Sequence, residues 1–359
     1  MKISITRAAA DELKEKPDES DLGFGNLFSD HMFVMTYSAG RGWHDAEIKP
    51  YQNFSLNPSA MALHYGQAIF EGLKAYRGRD NKIRFFRPQA NLERMNVTAA
   101  RMCMAQIDPH EVLTALKKLV AIDQDWVPSA KGSTLYIRPA MIATEAALGV
   151  RPSTEYLFFI ILSPVGAYYP EGFNPVKIFV TDKYVRAVKG GVGHVKTAGN
   201  YAASIMAAME AKEAGYTQVL WLDACEHRYI EEVGTMNIFF KINGEIITPP
   251  LNGSILPGVT RDSALTITRA WGLDVTERPI TIDEVLKANE DNELEEIFGT
   301  GTAAVISPVG ELYYKGRTIT INNGKTGPLA QRLFDELEAI QYAHKKAPYD
   351  WMEGLDQAF

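Results

Sequence analysis

The sequence predicts a mixed α/β protein built from two domains, and three observations support this expectation. The chain has 359 residues, which exceeds the usual length of a domain with one hydrophobic core. Segments with helical periodicity alternate with short apolar runs typical of strands. A stretch rich in proline and glycine, SPVGAYYPEGFNP at residues 163–175, separates two apolar strands. We therefore expect an N-terminal domain over residues 1–165, a linker over 166–175 and a C-terminal domain over 176–359.

The N-terminal half mixes helices and strands without an internal repeat. Residues 58–76, PSAMALHYGQAIFEGLKAY, predict a helix that gives way to a strand, and the turn residues 78–81 lead into the strand KIRFFR. Each of the next two segments opens on a proline, which favours a helix start, and both have apolar residues at helical spacing. These two predicted helices are PQANLERMNVTAARMCM, with Leu92, Met95, Ala99 and Met102 on one face, and PHEVLTALKKLVAI. Two strands follow them, STLYIRPAMIA and EYLFFIILS.

The C-terminal half contains short strands that alternate with amphipathic helices. The tripeptide ING predicts a hairpin turn between its third and fourth strands. These hairpins do not fit a regular series of βαβ units. The predicted strands are VKIFVTDKYV, TQVLWLDA, NIFFKI and EIITPP. The predicted helices are NYAASIMAAMEAKEAG, VTRDSALTITRAWG, TIDEVLKAN and GPLAQRLFDELEAIQYAHK.

Composition narrows the class of ligand. The formal net charge is −7, and the basic residues are scattered, which argues against nucleic acid or an anionic membrane as the main partner. No apolar run is long enough to span a membrane, and the N-terminus lacks the apolar core of a signal peptide, so we expect a cytoplasmic protein. Cys103 and Cys225 are isolated and suggest neither a disulfide nor a zinc site. A small-molecule ligand and no metal are expected.

Lys196 lies in an unusual setting, GGVGHVKTAGNY. Glycines before and after it let the backbone pack closely, a basic segment precedes it, and a mostly apolar helix is predicted to follow. A lysine enclosed in a site can act as a nucleophile toward carbonyl groups. The alternative is a solvated lysine in front of a helix.

Three further segments carry candidate chemistry. In YIEEVGTMNIFF, a glutamate at the edge of a buried strand needs a partner, and a cationic ring nitrogen such as that of pyridoxal phosphate would be one. The alternative places one glutamate in solvent and the other at a turn. In LPGVTRD, a helix N-terminus with a hydroxyl suits a phosphate, although threonine is also an ordinary N-cap. GTGTAAV is a second small-residue turn with hydroxyls that suit the same anion.

Eight motifs in order give the chain a resemblance to the branched-chain amino acid aminotransferases, a family of fold-type IV pyridoxal-phosphate enzymes. The resemblance extends from about Phe24 to the C-terminal helix. The motifs are LHYGQAIFEGLKAY, FRPQANLERM, YIRPAMIATEAALGV, SPVGAYY, VKTAGNY, EVGTMNIF, LPGVTRD and GTGTAAV. The resemblance implies a smaller N-terminal domain, a larger C-terminal domain and a cofactor between them. It also implies a homodimer.

The resemblance assigns roles to individual residues. Lys196 would be the Schiff-base lysine, Tyr201 would bind the ring oxygen of pyridoxal 5'-phosphate, and Glu232 would pair with its pyridine nitrogen. The phosphate would be held by Arg94, Val259, Thr260 and Thr302, and the ring would be supported by Thr235. The substrate side chain would be enclosed by Phe24, Tyr65, Phe70, Tyr136, Leu148 and Val150, with Arg138 as the one fixed cation. The N–H groups of Thr302 and Ala303 would bind the α-carboxylate.

The implied reaction transfers the amino group of L-leucine, L-isoleucine or L-valine to 2-oxoglutarate, giving a branched 2-oxo acid and L-glutamate. A D-amino acid aminotransferase and an aminodeoxychorismate lyase are the alternatives with the same fold, and YIRP followed by TEAALGV favours the branched-chain enzyme. A metabolite-binding protein without activity is disfavoured because Lys196 and Glu232 are both present. We expect Leu148 and Val150, in the loop TEAALGVRPS, to be covered by the neighbouring subunit.

Overall fold

A computed structural model describes residues 1–166, 172–347 and 349–355. The chain divides into two compact units, and two segments of the predicted C-terminal domain, the short Lys196–Ala198 and the C-terminal Ala339–Phe359, belong to the first unit. Pairing of the last strand with the sheet of that unit explains the C-terminal segment, and a bridge between Thr197 and Ile69 explains the short one. The first unit comprises Met1–Tyr168, Lys196–Ala198 and Ala339–Phe359, and the second comprises Tyr169–Val195 and Gly199–Glu338. Residues 167–171, in the predicted linker and at the end of the SPVGAYY motif, lie outside the described residues.

Helices and strands alternate along the described residues. The helices are α1 (Met61–Tyr65), α2 (Pro88–Arg101), α3 (Pro109–Ile122), α4 (Ala198–Ala202), α5 (Ile205–Glu213), α6 (Val259–Ala270), α7 (Ile282–Glu290) and α8 (Pro328–Gln341). The strands are β1 (Ser4–Ile5), β2 (His31–Ser38), β3 (Gly42–Pro50), β4 (Ala68–Phe70), β5 (Leu73–Arg77), β6 (Ile83–Phe86), β7 (Thr134–Ala143), β8 (Glu155–Val165), β9 (Val176–Val180), β10 (Gln218–Leu222), β11 (Ile230–Val233), β12 (Asn237–Ile242), β13 (Glu245–Thr248), β14 (Val275–Glu277), β15 (Leu294–Gly301), β16 (Val305–Tyr314), β17 (Arg317–Thr320) and β18 (Met352–Gly354).

The first unit is built on one largely antiparallel sheet. Its strand order is β1-β3-β2-β8-β7-β5-β6-β18, with β4 pairing to β7. The two central strands, β7 and β8, pair along their whole length, from Thr134 opposite Val165 to Ala143 opposite Tyr156. The apolar faces of α2 and α3 join the core of this unit. The long central ladder provides a rigid base for the polar side chains carried by β7.

The two predicted helices of this unit are confirmed. α2 and α3 start at their prolines, and the Asp108 side chain caps α3 by accepting the N–H groups of His110 and Glu111. Leu92, Met95 and Ala99 are fully buried, as their helical spacing predicts. Met102 lies one residue beyond the end of α2, because the helix stops at Arg101.

The second unit contains a mixed sheet, in agreement with the prediction that the strands do not form a regular βαβ series. Its order is β11-β10-β9-β16-β15-β12-β13-β14, with β17 pairing to β16. The predicted hairpin of β12 and β13 is confirmed, and its turn residues Asn243 and Gly244 have φ angles of 47° and 83°. Two positive φ angles in succession match the turn that tight hairpins prefer.

Two predicted elements of this unit are shorter than the sequence suggested. The single helix predicted over residues 200–215 is wrong, because the chain forms α4 and α5 with a break at residues 203–204. The Ser204 hydroxyl and backbone N–H both bond to the Tyr201 carbonyl, at 2.7 and 3.1 Å, which tightens the turn there. The strand predicted over 176–185 ends at Val180, since the Thr181 hydroxyl accepts backbone N–H groups of the following turn.

None of the helices in the described part of the chain has both the length and the apolar character that a membrane span requires.

Candidate active site

The backbone of Lys196 is fixed by two elements of the first unit. Its N–H donates to the Thr98 hydroxyl of α2 over 3.2 Å, and its carbonyl accepts the N–H of Phe70 in β4 over 3.1 Å. The ammonium nitrogen lies 4.7 Å from the centre of the Phe70 ring, close enough for a cation–π interaction. The lysine is therefore held in a defined position beside an aromatic face.

The residue after the lysine strengthens this attachment. Thr197 is buried and forms an antiparallel bridge with Ile69. Its hydroxyl donates to the carbonyl of Ala68 over 2.9 Å. The segment that carries Lys196 thus continues the sheet of the first unit alongside β4.

Arg94 forms a bidentate ion pair with Glu71, a residue that sequence reasoning missed. Its Nε and Nη2 atoms lie 2.8 and 2.9 Å from the two carboxylate oxygens, and Asn91 adds a hydrogen bond of 2.9 Å. Burial raises the pKa of the Glu71 carboxyl, but the charges of Arg94 and Lys196 and these hydrogen bonds outweigh burial and leave the pKa below its ordinary value. The sequence feature that could have identified Glu71 is its place as the one acid inside the apolar run AIFEGLKAY, since a buried charge requires a partner.

An aromatic cluster surrounds Arg138 in the first unit, and four of the predicted substrate residues belong to it. The guanidinium carbon lies 4.6 Å from the centre of the Phe70 ring and 5.2 Å from that of Tyr136. The guanidinium donates to the Tyr136 hydroxyl over 3.1 Å, and the Phe24 ring meets the Tyr136 ring edge to face at 5.2 Å. Within the part of the chain that the structure describes, Arg138 Nε is buried and has no hydrogen-bond partner. Phe70 joins this cluster to Lys196.

Two features of the backbone shape the cluster. Tyr136 and Arg138 are two residues apart on β7, so their side chains leave the same face of the sheet. Gly72, between β4 and β5, lies against the Tyr136 hydroxyl, and a Cβ atom there would stand 2.0 Å from that oxygen. The glycine therefore leaves room for the tyrosine to reach the arginine.

Three other predicted substrate residues are not buried with this cluster in the single chain. Tyr65 in α1 is 42% exposed, and Leu148 and Val150 in the loop after β7 are 71% and 88% exposed. Hydrogen bonds join the two segments, from Met61 N–H to the Glu145 carbonyl and from Ala147 N–H to the Ser59 carbonyl. The exposed side chains thus lie on adjoining segments of the first unit.

In the second unit, Glu232 is buried among hydrogen-bond donors. One carboxylate oxygen accepts Asn237 Nδ2 at 3.1 Å and the Leu256 N–H at 3.0 Å, and the other forms an ion pair of 2.7 Å with Arg186. The alternative that placed one of the paired glutamates in solvent is wrong, since Glu231 and Glu232 are both at least 96% buried. Sequence reasoning missed both Arg186 and Asn237. The basic segment DKYVRAVKGG contained the only local hint of the arginine.

A small pocket of the second unit brings three of the predicted cofactor residues together. Tyr201, Glu232 and Thr235 all line it, together with Arg186 and Asn200. Asn200 donates from its side chain to the carbonyls of Val192 and Val195, at 2.8 and 2.9 Å, and so ties α4 to the loop before Lys196. The pocket combines a buried carboxylate, a phenol and a hydroxyl, which are groups that bind the polar atoms of a ligand.

The N-terminus of α6 lies beside the residue that supports Glu232. The N-cap position is Gly258, and a Cβ atom there would stand 2.1 Å from Asn237 Oδ1. No hydrogen bond from a side chain caps this helix in the described structure. Thr260, in the first turn, is buried. A helix N-terminus of this kind is suited to an anion.

The turn between β15 and β16 starts close to the same place. Asn237 pairs with Thr300 in the sheet, and Gly301 pairs with Val305 across the turn that contains Thr302 and Ala303. The Thr300 hydroxyl is buried and finds no partner among the described residues. The two small-residue motifs and Glu232 are therefore gathered around Asn237.

Comparisons with known proteins identify the family of this chain. The Amino-transferase class IV family matches residues 68–312. The "Branched-chain-amino-acid aminotransferase 2" of Bacillus subtilis (strain 168) is 58% identical over 338 residues, which cover 94% of this chain and 93% of that protein.

Two solved structures share the fold. The Escherichia coli branched-chain amino acid aminotransferase matches with a TM-score of 0.76 at 23% identity, covering 91% of this chain and 99% of that one. A branched-chain amino acid aminotransferase of T.th., complexed with N-(5'-phosphopyridoxyl)-L-glutamate, matches with a TM-score of 0.74 at 26% identity, covering 90% and 98%. The family match over most of the chain and the high identity over nearly all of it lead to one conclusion: this chain belongs to the class IV aminotransferases and, within them, to the branched-chain-amino-acid aminotransferases.

Proposed function

We propose that this chain transfers the amino group of L-leucine, L-isoleucine or L-valine to 2-oxoglutarate, with pyridoxal 5'-phosphate as its cofactor. The observation that carries the proposal is the cluster in which Phe70 touches both Lys196 and Arg138. It combines the amine of Lys196, an apolar aromatic face and the guanidinium of Arg138. The names of the relatives support the substrate class, and the phosphopyridoxyl-glutamate in the T.th. enzyme supports the cofactor.

The residues of the second unit fit this cofactor. Glu232, paired with Arg186 and hydrogen-bonded to Asn237, suits a protonated pyridine nitrogen, and Tyr201 and Thr235 line the same pocket. The α6 N-terminus, with Val259 and Thr260, suits the phosphate, and the buried Thr300 hydroxyl without a partner among the described residues is consistent with a polar group nearby. When bound, the cofactor supplies an electron sink for the charge that develops at the substrate Cα.

Lys196 is proposed to carry the cofactor and to move the proton at the substrate Cα. The Lys196 backbone is held at both its N–H and its carbonyl, so the side chain can move while the Cα atom stays in place. Proton transfer by a positioned side chain contributes about 10²–10⁴-fold to a rate. Arg94 is proposed to contact the phosphate while Glu71 orients its guanidinium.

Arg138 is proposed to let one pocket accept two unlike substrates. The aliphatic tail of leucine packs on Phe24, Phe70 and Tyr136, while the γ-carboxylate of glutamate reaches the guanidinium. An arginine stacked on aromatic rings is weakly hydrated and presents a planar fork, which suits a carboxylate in an apolar setting. The N–H groups of Thr302 and Ala303 are proposed to hold the α-carboxylate common to both.

We also propose a homodimer. Leu148 and Val150 project into solvent from the loop that is hydrogen-bonded to α1, where Leu63 and Tyr65 are exposed too. Exposed apolar side chains on adjoining segments are typical of interaction sites. A second copy of the chain would cover them, and Leu148, Val150 and Tyr65 would then complete substrate pockets. Sedimentation velocity of the holoenzyme tests this proposal, and an active monomer would contradict it.

Transfer of labelled nitrogen tests the proposed reaction. With ¹⁵N-labelled L-leucine and unlabelled 2-oxoglutarate, we expect ¹⁵N-labelled L-glutamate and 4-methyl-2-oxopentanoate in equal amounts, measured by mass spectrometry. Transfer from D-alanine in place of L-leucine would support a D-amino acid aminotransferase. Release of pyruvate from aminodeoxychorismate would support the lyase.

A further inference from the structure

The second unit contains a cavity on the far side of β11 from the cofactor pocket. Successive side chains of a strand point to opposite faces, so Glu232 and Glu231 leave β11 in opposite directions. Glu232 lines the pocket with Tyr201, whereas Glu231 lines a separate cavity of about 290 Å³. This volume is near the lower end of the range for small-molecule sites.

The walls of this cavity are mostly apolar and rigid. Three prolines contribute, and aliphatic and phenolic side chains complete the surface. The apolar wall residues are Tyr229, Pro249, Pro250, Ile255 and Pro279. Because proline rings have few conformations, such a cavity keeps its shape and binding orders little of the protein.

One carboxylate oxygen of Glu231 lacks a hydrogen-bond donor in the described structure. The residue is 96% buried, and its Oε1 accepts the Ser254 hydroxyl. Its Oε2 is buried and has no hydrogen-bond partner in residues 1–166, 172–347 and 349–355. Buried acceptors are almost always satisfied, so an ordered water or a ligand donor is expected at this atom.

The other acid of the cavity does not compete for that donor. Both oxygens of Asp223 are taken by backbone N–H groups of its own turn, at 2.7 to 3.0 Å. Lys189 also lines the cavity but is exposed to solvent. The pKa of Glu231 is raised overall, because burial outweighs the other contributions. The Ser254 hydroxyl and the Arg186 charge lower the pKa, and the Asp223 charge raises it further. A bound cation would favour the ionised carboxylate.

We propose that this cavity is a second ligand site, for a small organic cation that places N–H donors on Glu231 Oε2 and an apolar body against the prolines. An ammonium or amidinium head with a short hydrocarbon or aromatic tail has this chemistry. The proposal is independent of the transaminase reaction, because none of the residues that line the cavity belongs to the proposed active site.

Benzamidine is a suitable probe, since it has a flat apolar ring and an amidinium that is complementary to a carboxylate. The experiment is a fluorine NMR titration of 4-fluorobenzamidine with the holoenzyme. We expect saturable binding. Neutral 4-fluorobenzamide should bind much more weakly, and equal binding of the two would overturn the cationic class.

Matched variants locate the site. E231Q removes the charge but keeps the side-chain shape and an acceptor for Ser254, so affinity should fall about ten- to hundredfold. E226Q makes the same charge change at an exposed neighbouring residue and should leave affinity within about twofold. An E231Q protein that binds as tightly as the wild type would overturn the proposal, as would the absence of saturable binding.

A second variant tests the site independently, in case E231Q does not fold. A224F adds a ring at a residue that lines the cavity and leaves the buried carboxylate intact, so it should abolish binding. Circular dichroism of each variant shows whether it is folded. Undiminished binding to folded A224F would place the probe elsewhere and refute the site. K189M removes a like charge from the rim and should leave affinity for the cationic probe unchanged or raise it slightly, and a marked loss would contradict recognition of a cation through Glu231.

Discussion

Arg138 provides the sharpest test of how one pocket handles a neutral and an acidic side chain. In the Arg138→Met variant the side chain keeps a similar length and an apolar stem, but the charge disappears. The γ-carboxylate of glutamate would then be buried without a partner, beside the rings of Phe70 and Tyr136. The half-reaction with glutamate should suffer and the half-reaction with leucine should not.

The size of each effect follows from the geometry. Removing one partner of a desolvated, hydrogen-bonded charge pair costs about 2–5 kcal/mol, which corresponds to about 30- to 5,000-fold in rate. For leucine the loss is limited to the stacking of the guanidinium on Phe70, 4.6 Å away, and to its 3.1 Å hydrogen bond with Tyr136. A cation–π contact of this kind stabilises the folded free enzyme by about 0.5–2 kcal/mol. The methionine side chain replaces part of the guanidinium contact with Phe70. We expect leucine to lose less than about tenfold.

Single-turnover kinetics separates the two half-reactions. The absorbance of the bound cofactor is followed after mixing with L-leucine alone and with L-glutamate alone. Arg138→Lys is the matched control, because it keeps the charge and loses the planar fork, and it should recover part of the glutamate rate. Equal losses for both amino acids in Arg138→Met would refute the reasoning and show that the arginine supports the site as a whole.

Three further predictions concern other parts of the site. Lys196→Ala should lower turnover by about 10²–10⁴-fold or more while cofactor stays bound, as absorbance after gel filtration would show, and substantial residual activity would mean that another lysine acts. Glu71→Gln should lower the free energy of unfolding by about 3–5 kcal/mol, because the Arg94 guanidinium loses its buried partner. Since the folded-state pKa of Glu71 is lowered, the wild-type advantage should be full at neutral pH and shrink as the pH falls below about 4; a urea titration showing no such pH dependence would contradict the pairing. Leu148→Asp combined with Val150→Asp should yield monomers in sedimentation velocity, and an unchanged dimer would exclude this loop from the interface.

Local patterns predicted those elements whose signal lies within a few residues. The prolines at the starts of α2 and α3, their apolar spacing and the hairpin at Asn243 are all short-range features, and the structure confirms them. The break between α4 and α5 was not predicted, because it depends on a hydroxyl that competes for a backbone carbonyl at Ser204. Periodicity cannot report such competition.

The catalytic candidates were predicted from motifs, but most of their partners were not. Glu71 meets Arg94 from a position 23 residues earlier, and Glu232 meets Arg186, which lies outside its strand. These pairs form only after the sheets have assembled, so no local pattern specifies them. The apolar residues around Glu71 in the sequence indicate only that this carboxylate needs a charged or hydrogen-bonding partner, not which residue it is.

Absorption spectroscopy of the purified holoenzyme is the most direct test of the proposed specificity for branched-chain L-amino acids. L-leucine, L-isoleucine and L-valine, added one at a time, should bleach the yellow colour of the lysine-bound cofactor, and 2-oxoglutarate should restore it. D-alanine should leave the spectrum unchanged. Bleaching by D-alanine with no response to L-leucine would contradict the proposed function.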